Sequence, residues 1–287
     1  MAEGADEDRL HGALLNQLWD LTPNNELIGA ESFDTRPIFG APSIFARRSL
    51  IQAELYRLAT SPERAGAVPR IIDGLTITAI DAEAGRVTCS DGQVFCGDLV
   101  VGADGIRSVA RRAVTSSPDD SIGGISNTGL VGYMSIVPAV YFAETPELAF
   151  MTTPGQQGIA QWSDNASNVH RVLAYPCSAE HFEVFGFARE GAWTDALDAN
   201  RSSILHDIPA AAVQQDFASF APCIRNMLTV AGQSASSRSR ACIAHTFAST
   251  EISLWRIRDT KPLPASAWTK GRICLTGDAA HAVTPRE

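Results

Sequence analysis

The sequence lacks the features that accompany membrane insertion and secretion. It contains no run of 18 or more apolar residues, which argues against a membrane span. Its first residues, MAEGADEDRLHG, are acidic and have no apolar centre, so we expect no secretory signal peptide. Positive charge is also scarce, because the net charge is −9 and the isoelectric point is about 5.2. This balance argues against nucleic acid or an anionic membrane surface as the main partner.

Paired cysteines are lacking as well. The six cysteines form no CxxC pair and show no regular spacing, which favours reduced thiols in an intracellular, cytoplasmic protein over a disulfide framework or a metal site. With 287 residues, of which 45% are hydrophobic, the chain can bury a sizeable core in one large or two modest domains. The cysteines are Cys89, Cys96, Cys177, Cys223, Cys242 and Cys274.

A nucleotide-binding fingerprint is the third absence. No GxGxxG glycine cluster occurs before residue 100, where it would open a βαβ unit. Without that phosphate-binding turn, an NAD-linked dehydrogenase is disfavoured.

Hydrophobic periodicity predicts an α/β organisation. Apolar residues at helical spacing predict one helix within the first 30 residues, from Leu10 to Trp19, and another over 48–60, with Ile51, Leu55 and Leu58 on one apolar face. Short β-type runs occupy 70–101, and 99–101 reads as a buried strand of a parallel sheet. Helices are also predicted over 195–205 and 220–230, whereas the Ser- and Ala-rich segment 231–251 is predicted to be a loop.

Two segments contain a strand that ends in an Asp-containing turn. In GRICLTGDAAHAVTP, residues 271–285, an apolar strand leads to Gly277 and Asp278, and small residues follow. In GDLVVGADGIRSVARR, residues 97–112, a strand delivers Asp104 to a glycine turn before a helix. An Asp at the carboxyl end of a buried strand lies where α/β sheets bind ligands. For the second segment, a capping Asp in an ordinary strand-to-helix turn is an equally good interpretation.

Together these segments resemble two motifs of the FAD-dependent aromatic monooxygenases, the class A flavoprotein hydroxylases of salicylate-hydroxylase type. The pattern D-G-x-x-S-x-x-R matches the family's middle motif, and GDAAHAVTP matches its second FAD-binding motif. The pair Arg47-Arg48 resembles the family's helix start, in which an Arg reaches the flavin nucleotide, and Arg48 fits the spacing better than Arg47. The FAD contacts that the resemblance implies are Arg48, Asp104, Gly105, Arg111, Gly277, Asp278, Ala279 and Pro285.

The resemblance implies a p-hydroxybenzoate-hydroxylase-like fold: an incomplete FAD-binding Rossmann-like domain with an inserted mixed β-sheet substrate domain. We expect the FAD-binding domain to comprise 1–112 and 268–287, and the substrate domain 113–267. The implied activity is hydroxylation of a small aromatic or polyketide-like substrate, with FAD as cofactor, NAD(P)H as reductant and O₂ as oxidant. No metal site is expected.

The chain also departs from the family pattern. Relatives often carry Tyr-Arg where this chain has Tyr133 and Met134, so the cation is missing. Tyr175, in VHRVLAYPC, matches a strand that contributes a tyrosine to the substrate pocket, although a cross-strand packing role is as good an interpretation. His281 is interpreted as structural rather than as an acid or base. The missing pyrophosphate loop leaves an alternative open, namely a non-catalytic, truncated remnant that serves as an interaction protein or reflects wrongly assigned gene boundaries.

Overall fold

The computed structural model describes residues 6–63, 66–116, 122–164, 169–199, 203–233 and 251–284. The chain forms two compact units: a first unit of Met1–Pro69 with Leu130–Arg256, and a second unit of Arg70–Gly129 with Ile257–Glu287. Among the described residues, no helix has the length and apolar character needed to cross a membrane.

The described residues contain nine α-helices and sixteen strands. The helices are α1 Glu7–Leu10, α2 Arg36–Phe39, α3 Arg48–Thr60, α4 Val109–Thr115, α5 Ala139–Glu144, α6 Thr194–Ala199, α7 Ala210–Asp216, α8 Pro222–Gln233 and α9 Asp278–His281. The strands are β1 Ala13–Leu14, β2 Gln17–Leu21, β3 Leu27–Ser32, β4 Ile44–Phe45, β5 Ile77–Asp81, β6 Arg86–Cys89, β7 Val94–Cys96, β8 Val100–Gly102, β9 Ile125–Pro138, β10 Gly158–Ser163, β11 Arg171–Pro176, β12 His181–Arg189, β13 Ile204–Leu205, β14 Ser253–Thr260, β15 Thr269–Lys270 and β16 Ile273–Leu275.

A mixed sheet of order β13-β14-β9-β12-β11-β10-β2-β3 forms the framework of the first unit. β10 pairs with β2 in parallel, whereas β11 pairs antiparallel with both β10 and β12. Side chains alternate between the two faces, so that Val172 and Ala174 of β11 are fully buried while Leu173 and Tyr175 are half-buried. The buried face packs on residues of α5, α7 and α8, including Phe142, Val213, Ile224 and Leu228.

The second unit contains two small sheets. In the order β15-β16-β8, strand β16 pairs in parallel with β8, while β5, β6 and β7 form an antiparallel meander. A small core of Ala110, Val114, Ile273, Leu275 and Ala280 joins α4 to the parallel pair. This core is small but closely packed, because an added Cβ at Gly102 would clash with the side chain of Ala110.

Several expected elements are confirmed and others are wrong. The helix over 48–60 is α3, and the predicted parallel strand is β8. The helix expected within the first 30 residues is wrong, because β2 alternates inward at Trp19 and Leu21 and pairs with the distant β10. Burial of 99–101 is also wrong: β8 is an edge strand, and Leu99 and Val101 are 64% and 55% exposed.

Two helix predictions need narrower corrections. α3 buries Leu58 of the predicted apolar face but exposes Ile51 and Leu55, and its other buried residue is Glu54, which is paired with Arg57. The helix expected over 195–205 ends at 199, and 204–205 form β13 on the sheet edge. Residues 231–233 of the predicted loop belong to α8, and 234–250 lie outside the described residues.

The boundaries of the two compact units differ from the domain boundaries expected from the motifs. Compact units follow side-chain packing, whereas the expected boundaries follow the cofactor motifs. The assignment of 1–112 and 268–287 to FAD binding therefore stays a prediction.

Candidate functional site

The first motif turn of the second unit is organised around the carboxylate of Asp104. This carboxylate accepts hydrogen bonds from the backbone amides of Val109 (2.7 Å) and Ala110 (3.2 Å) and from Ser108 Oγ (2.5 Å). Burial alone would raise the pKa of Asp104, but these hydrogen bonds outweigh it and lower the pKa. Gly105 follows with a φ of 75°, which only glycine adopts freely, and its surroundings are open. Asp104 is thus a helix cap, as one of the two sequence interpretations holds.

The second motif turn follows β16. The amide of Thr276 donates to the carbonyl of Gly102 on the neighbouring strand (3.0 Å), which holds the ends of β8 and β16 in register. Gly277 has a φ of 58° and would have no atom within 4 Å of an added Cβ. The side chain of Asp278 is exposed, and its carboxylate makes no hydrogen bond to the described residues. Ala279 is fully buried, so the turn is anchored on one side and open on the other.

Arg111 joins the two turns. Its side chain is only 4% exposed, and its guanidinium donates to the carbonyls of Asp278 (3.2 Å), Ala279 (3.0 Å) and Ile106. Its own backbone amide donates to Ser108 Oγ (2.8 Å), which caps α4. The motif resemblance assigns Arg111 to FAD. The structure gives it backbone partners in both turns, and a direct FAD contact stays a prediction.

His281 occupies a structural position at the end of α9. Its ring stacks on Trp268, with centroids 5.4 Å apart and an interplanar angle of 25°. Trp268 in turn accepts a hydrogen bond at its carbonyl from Leu275 (3.0 Å). Pro285 lies outside the described residues.

The first unit holds a cavity of about 610 Å³ at the amino terminus of α3. Arg47 is the N-cap residue of this 13-residue helix, which has no side-chain cap, and its Nε is buried without a hydrogen-bond partner among the described residues. Burial lowers the pKa of His181, and the charge of Arg47 lowers it further. The lining residues are His11, Gly12, Ala13, Arg47, Ser49, Leu50, Gln157, Ser178, Ala179, Glu180 and His181.

Arg47, rather than the predicted Arg48, lines this cavity. Arg48 is the first residue of α3 and is exposed, whereas Arg47 precedes the helix in extended conformation and is half-buried. Helical spacing alone cannot tell which of two adjacent arginines at the start of a helix lines a cavity, because the N-cap residue does not have helical backbone angles. No Ser, Thr, Asp or Asn stands directly before the helix to cap its free amides. This is the sequence signal that could have favoured Arg47, since the helix start then has no other polar partner.

Tyr175 lies on the half-buried face of the large sheet. Its ring stacks on Phe45 of β4, with centroids 4.6 Å apart. Across the hairpin it pairs in register with Glu183. Burial raises the pKa of Tyr175, and the Glu183 carboxylate raises it further; burial also raises the pKa of Glu183. No motif of the sequence points to Glu183, because only the strand register brings it to Tyr175.

The fold is that of the class A flavoprotein hydroxylases. HpxO of Klebsiella pneumoniae, solved with FAD and uric acid, has a TM-score of 0.65 at 20% identity over 97% of this chain and 60% of its own. A salicylate hydroxylase substrate complex has a TM-score of 0.63 at 18% identity, over 96% of this chain and 60% of its own. At these identities, the likeness establishes the fold alone.

The relatives by sequence are FAD-dependent monooxygenases. Hispidin-3-hydroxylase of Neonothopanus nambi is 27% identical over 267 residues, covering 88% of this chain and 55% of its own length. The FAD-dependent monooxygenase phomE' of Diaporthe leptostromiformis is 24% identical over 86% of this chain and 56% of its own. The 3-amino-4-hydroxybenzoate 2-monooxygenase of Streptomyces cremeus is 28% identical over 86% and 50%. No protein-family model matches the chain. The chain spans about half the length of the curated relatives it matches.

Proposed function

We propose that this chain serves an FAD-dependent monooxygenase that uses NAD(P)H and O₂ to hydroxylate an aromatic or polyketide-like substrate. The observation that carries the proposal is the bridge from Arg111 to the carbonyls of Asp278 and Ala279. It fixes the two motif turns against each other and leaves the Asp278 carboxylate exposed and without a partner among the described residues. FAD, when bound, supplies the redox and oxygen chemistry.

The residues of the second unit fit a sugar-like chain of hydroxyl groups. An exposed carboxylate next to an open glycine can accept hydrogen bonds from ribityl hydroxyls, because neither Gly277 nor Gly105 has an atom within 4 Å of the position of a side chain. Asp104 supports this arrangement from behind by capping α4. Asp278, Gly277 and Gly105 are therefore the groups of this unit that would hold the cofactor.

The first unit provides a cation for an anionic part of a nucleotide. Arg47 lines a cavity at a helix amino terminus that has no side-chain cap, where backbone amides and the helix dipole both favour negative charge. The Ser178 side chain, on the cavity wall, adds a hydroxyl donor. We assign the phosphate-contacting role to Arg47 in place of Arg48.

The half-buried sheet face of the first unit is the proposed substrate surface. Tyr175, held by Phe45, offers one hydrogen-bonding group among apolar neighbours, which is the composition expected of a site for an aromatic ring. Apolar surroundings also keep water from the reacting groups.

A flavin titration tests the proposal. FAD fluorescence is followed as the purified chain is added, for the wild type, for Asp278→Asn and for Asp98→Asn, a matched control on an exposed carboxylate of the same unit. Loss of a hydrogen bond to a charged group costs about 1.5–3 kcal/mol, so Asp278→Asn should weaken FAD binding by about tenfold or more. The control should bind as the wild type does. Bound flavin should then bleach with NADPH.

The opposite outcome is equally clear. A chain that leaves FAD fluorescence unchanged, and stays colourless after incubation with FAD, would refute flavin chemistry for this sequence and would support the non-catalytic alternative.

A further inference from the structure

A second, smaller cavity lies beside the turn between β11 and β12 in the first unit. Its volume is about 290 Å³, near the lower limit for sites that hold small molecules, and we call it the small cavity. It shares Gln157, Ser178 and Ala179 with the cavity lined by Arg47. None of the described residues that line the small cavity is Asp, Glu, Lys, Arg or His. The two cavities therefore adjoin each other but differ in charge.

The buried part of the small cavity's lining is apolar and held in place. Met151 and Phe182, of which 2% and 4% are exposed, line it together with the buried Pro176. The Phe182 ring stacks on Phe142, with centroids 4.1 Å apart, and this stack fixes the plane of the ring. A flat apolar group can pack on these side chains. A carboxylate would lose water there without gaining a cation from the lining, so the cavity favours an uncharged ligand.

Gln157, which lines both cavities, has a firmly held backbone. Its amide donates to Asn16 Oδ1 (2.9 Å), and its carbonyl accepts from the amides of Asn16 (2.8 Å) and Gln17 (3.1 Å). These hydrogen bonds tie the start of β10 to the start of β2, where the two strands pair in parallel. The position from which the Gln157 side chain extends is therefore set by the sheet.

The side-chain amide of Gln157 has one end occupied. Its Oε1 accepts a hydrogen bond from the amide of Leu14 (2.8 Å), which also distinguishes the amide oxygen from the nitrogen. Its Nε2 has no hydrogen-bond partner among the described residues, so this side chain offers a ligand a donor. Thr152, also on the lining, donates its only hydroxyl proton to the carbonyl of Ala149 (2.9 Å) and offers none.

We propose that the small cavity binds an uncharged aryl or alkyl ketone group, with Gln157 as the residue that recognises the carbonyl oxygen. The ring or chain packs on Met151 and Phe182, while the carbonyl oxygen accepts a hydrogen bond from Gln157 Nε2. This inference goes beyond the proposed function, because the residues that form the site are present without FAD.

Three probes of nearly equal shape test the proposal. Acetophenone carries the carbonyl, α-methylstyrene replaces it by a carbon–carbon double bond, and benzoate replaces the methyl ketone by a charged group. Dissociation constants are measured by NMR titration of the backbone amides of the full chain without FAD. A hydrogen bond between neutral groups is worth roughly twofold to tenfold in affinity, so acetophenone should bind more tightly than α-methylstyrene by about that factor. Benzoate should bind at least tenfold more weakly than acetophenone, and the amides of Met151 and Thr153 should be among those that shift.

Gln157→Glu is the decisive variant. A Glu side chain has the same shape and can keep the hydrogen bond from the Leu14 amide, but it has no donor at the other end. We expect this variant to lose the preference for acetophenone over α-methylstyrene. Gln156→Glu is the matched control, because it places the same charge on the neighbouring lining residue and leaves the Gln157 donor in place. The control should keep the preference.

A second variant locates the site without touching Gln157. Ala143 is exposed and lines the small cavity from α5, so Ala143→Phe should obstruct the cavity and weaken acetophenone and α-methylstyrene alike, by threefold or more. Equal affinities for these two probes in the wild type, a preference that survives Gln157→Glu, unchanged affinities in Ala143→Phe, or no binding of any probe would overturn the inference. Failure of the proposed function gives a different result: the chain would not bind FAD, yet the ketone preference would persist.

Discussion

Replacing Arg111 by Met should lower the stability of the second unit more than the removal of any nearby charged side chain. The guanidinium is 4% exposed and donates to carbonyls of both motif turns, those of Ile106, Asp278 and Ala279. Met fills much of the same volume without a donor. The perturbation therefore removes the hydrogen bonds and keeps most of the packing.

The size of the effect follows from the burial of the acceptors. Ala279 is fully buried, so water cannot replace the donor to its carbonyl, whereas Asp278 is exposed and its carbonyl can recover a water. A buried group left without a partner costs about 1–3 kcal/mol, and each hydrogen bond to a charged group contributes about 1.5–3 kcal/mol. We expect a loss of about 3–5 kcal/mol in the free energy of unfolding, a large fraction of the stability of a typical domain.

Urea unfolding and hydrogen exchange measure this loss. Arg112→Met is the matched control, because Arg112 is adjacent on α4, exposed, and donates to the Arg107 carbonyl at 3.3 Å. In Arg111→Met the amides of Thr276 and Ala280, which are hydrogen-bonded in the wild type, should exchange faster. Equal unfolding midpoints for the two variants, with unchanged exchange at both amides, would refute the role of Arg111 as the bridge.

Three further predictions concern the first unit. Arg47→Met should raise the dissociation constant for FAD about tenfold or more and Arg48→Met less than twofold, as read from fluorescence titrations; the reverse order would favour the sequence spacing over the cavity. Tyr133→Phe should lower stability by about 1–3 kcal/mol in urea unfolding, because its fully buried hydroxyl donates at 2.5 Å and accepts at 2.6 Å; an unchanged midpoint would contradict this. Hydrogen bonds from Arg57 lower the pKa of Glu54 from 4.5 to about 2, so its stabilisation is complete above pH 4.5 and is lost as the pH falls towards 2. Glu54→Gln should flatten that fall in unfolding midpoints measured against pH, and an equally steep fall would exclude Glu54 as its source.

The elements that can be predicted from the sequence are those stabilised by interactions between residues close together in the chain. The helix α3 and the two strand-to-turn segments could be predicted because each is specified by neighbouring residues, such as the Asp104 carboxylate and the amides of Val109 and Ala110. The segment from Leu10 to Trp19 satisfies helical spacing equally well. Its strand pairs with β10, about 140 residues away, and that long-range pairing decides its structure.

The same limit applies to the candidate site. Asp278 can be identified from the sequence because its motif is contiguous, whereas Arg47 cannot be told from its neighbour because cavity lining is a property of the folded chain. Glu183 carries no sequence signal at all. Its contact with Tyr175 depends on the hairpin register, which is fixed by the turn between β11 and β12, where the amides of Cys177 and Ser178 both donate to the carbonyl of His181.

The two motifs of the second unit depend on each other physically, even though about 165 residues separate them. Arg111 belongs to the first motif, and two of its acceptors belong to the second. A chain that kept the first motif alone would bury a guanidinium with too few acceptors, at a cost of several kcal/mol. A chain that kept the second alone would leave the Ala279 carbonyl buried and unpaired. The co-occurrence of the motifs is therefore explained by folding of the second unit, whereas our proposal assigns ligand binding to the groups that this bridge leaves open, above all the Asp278 carboxylate.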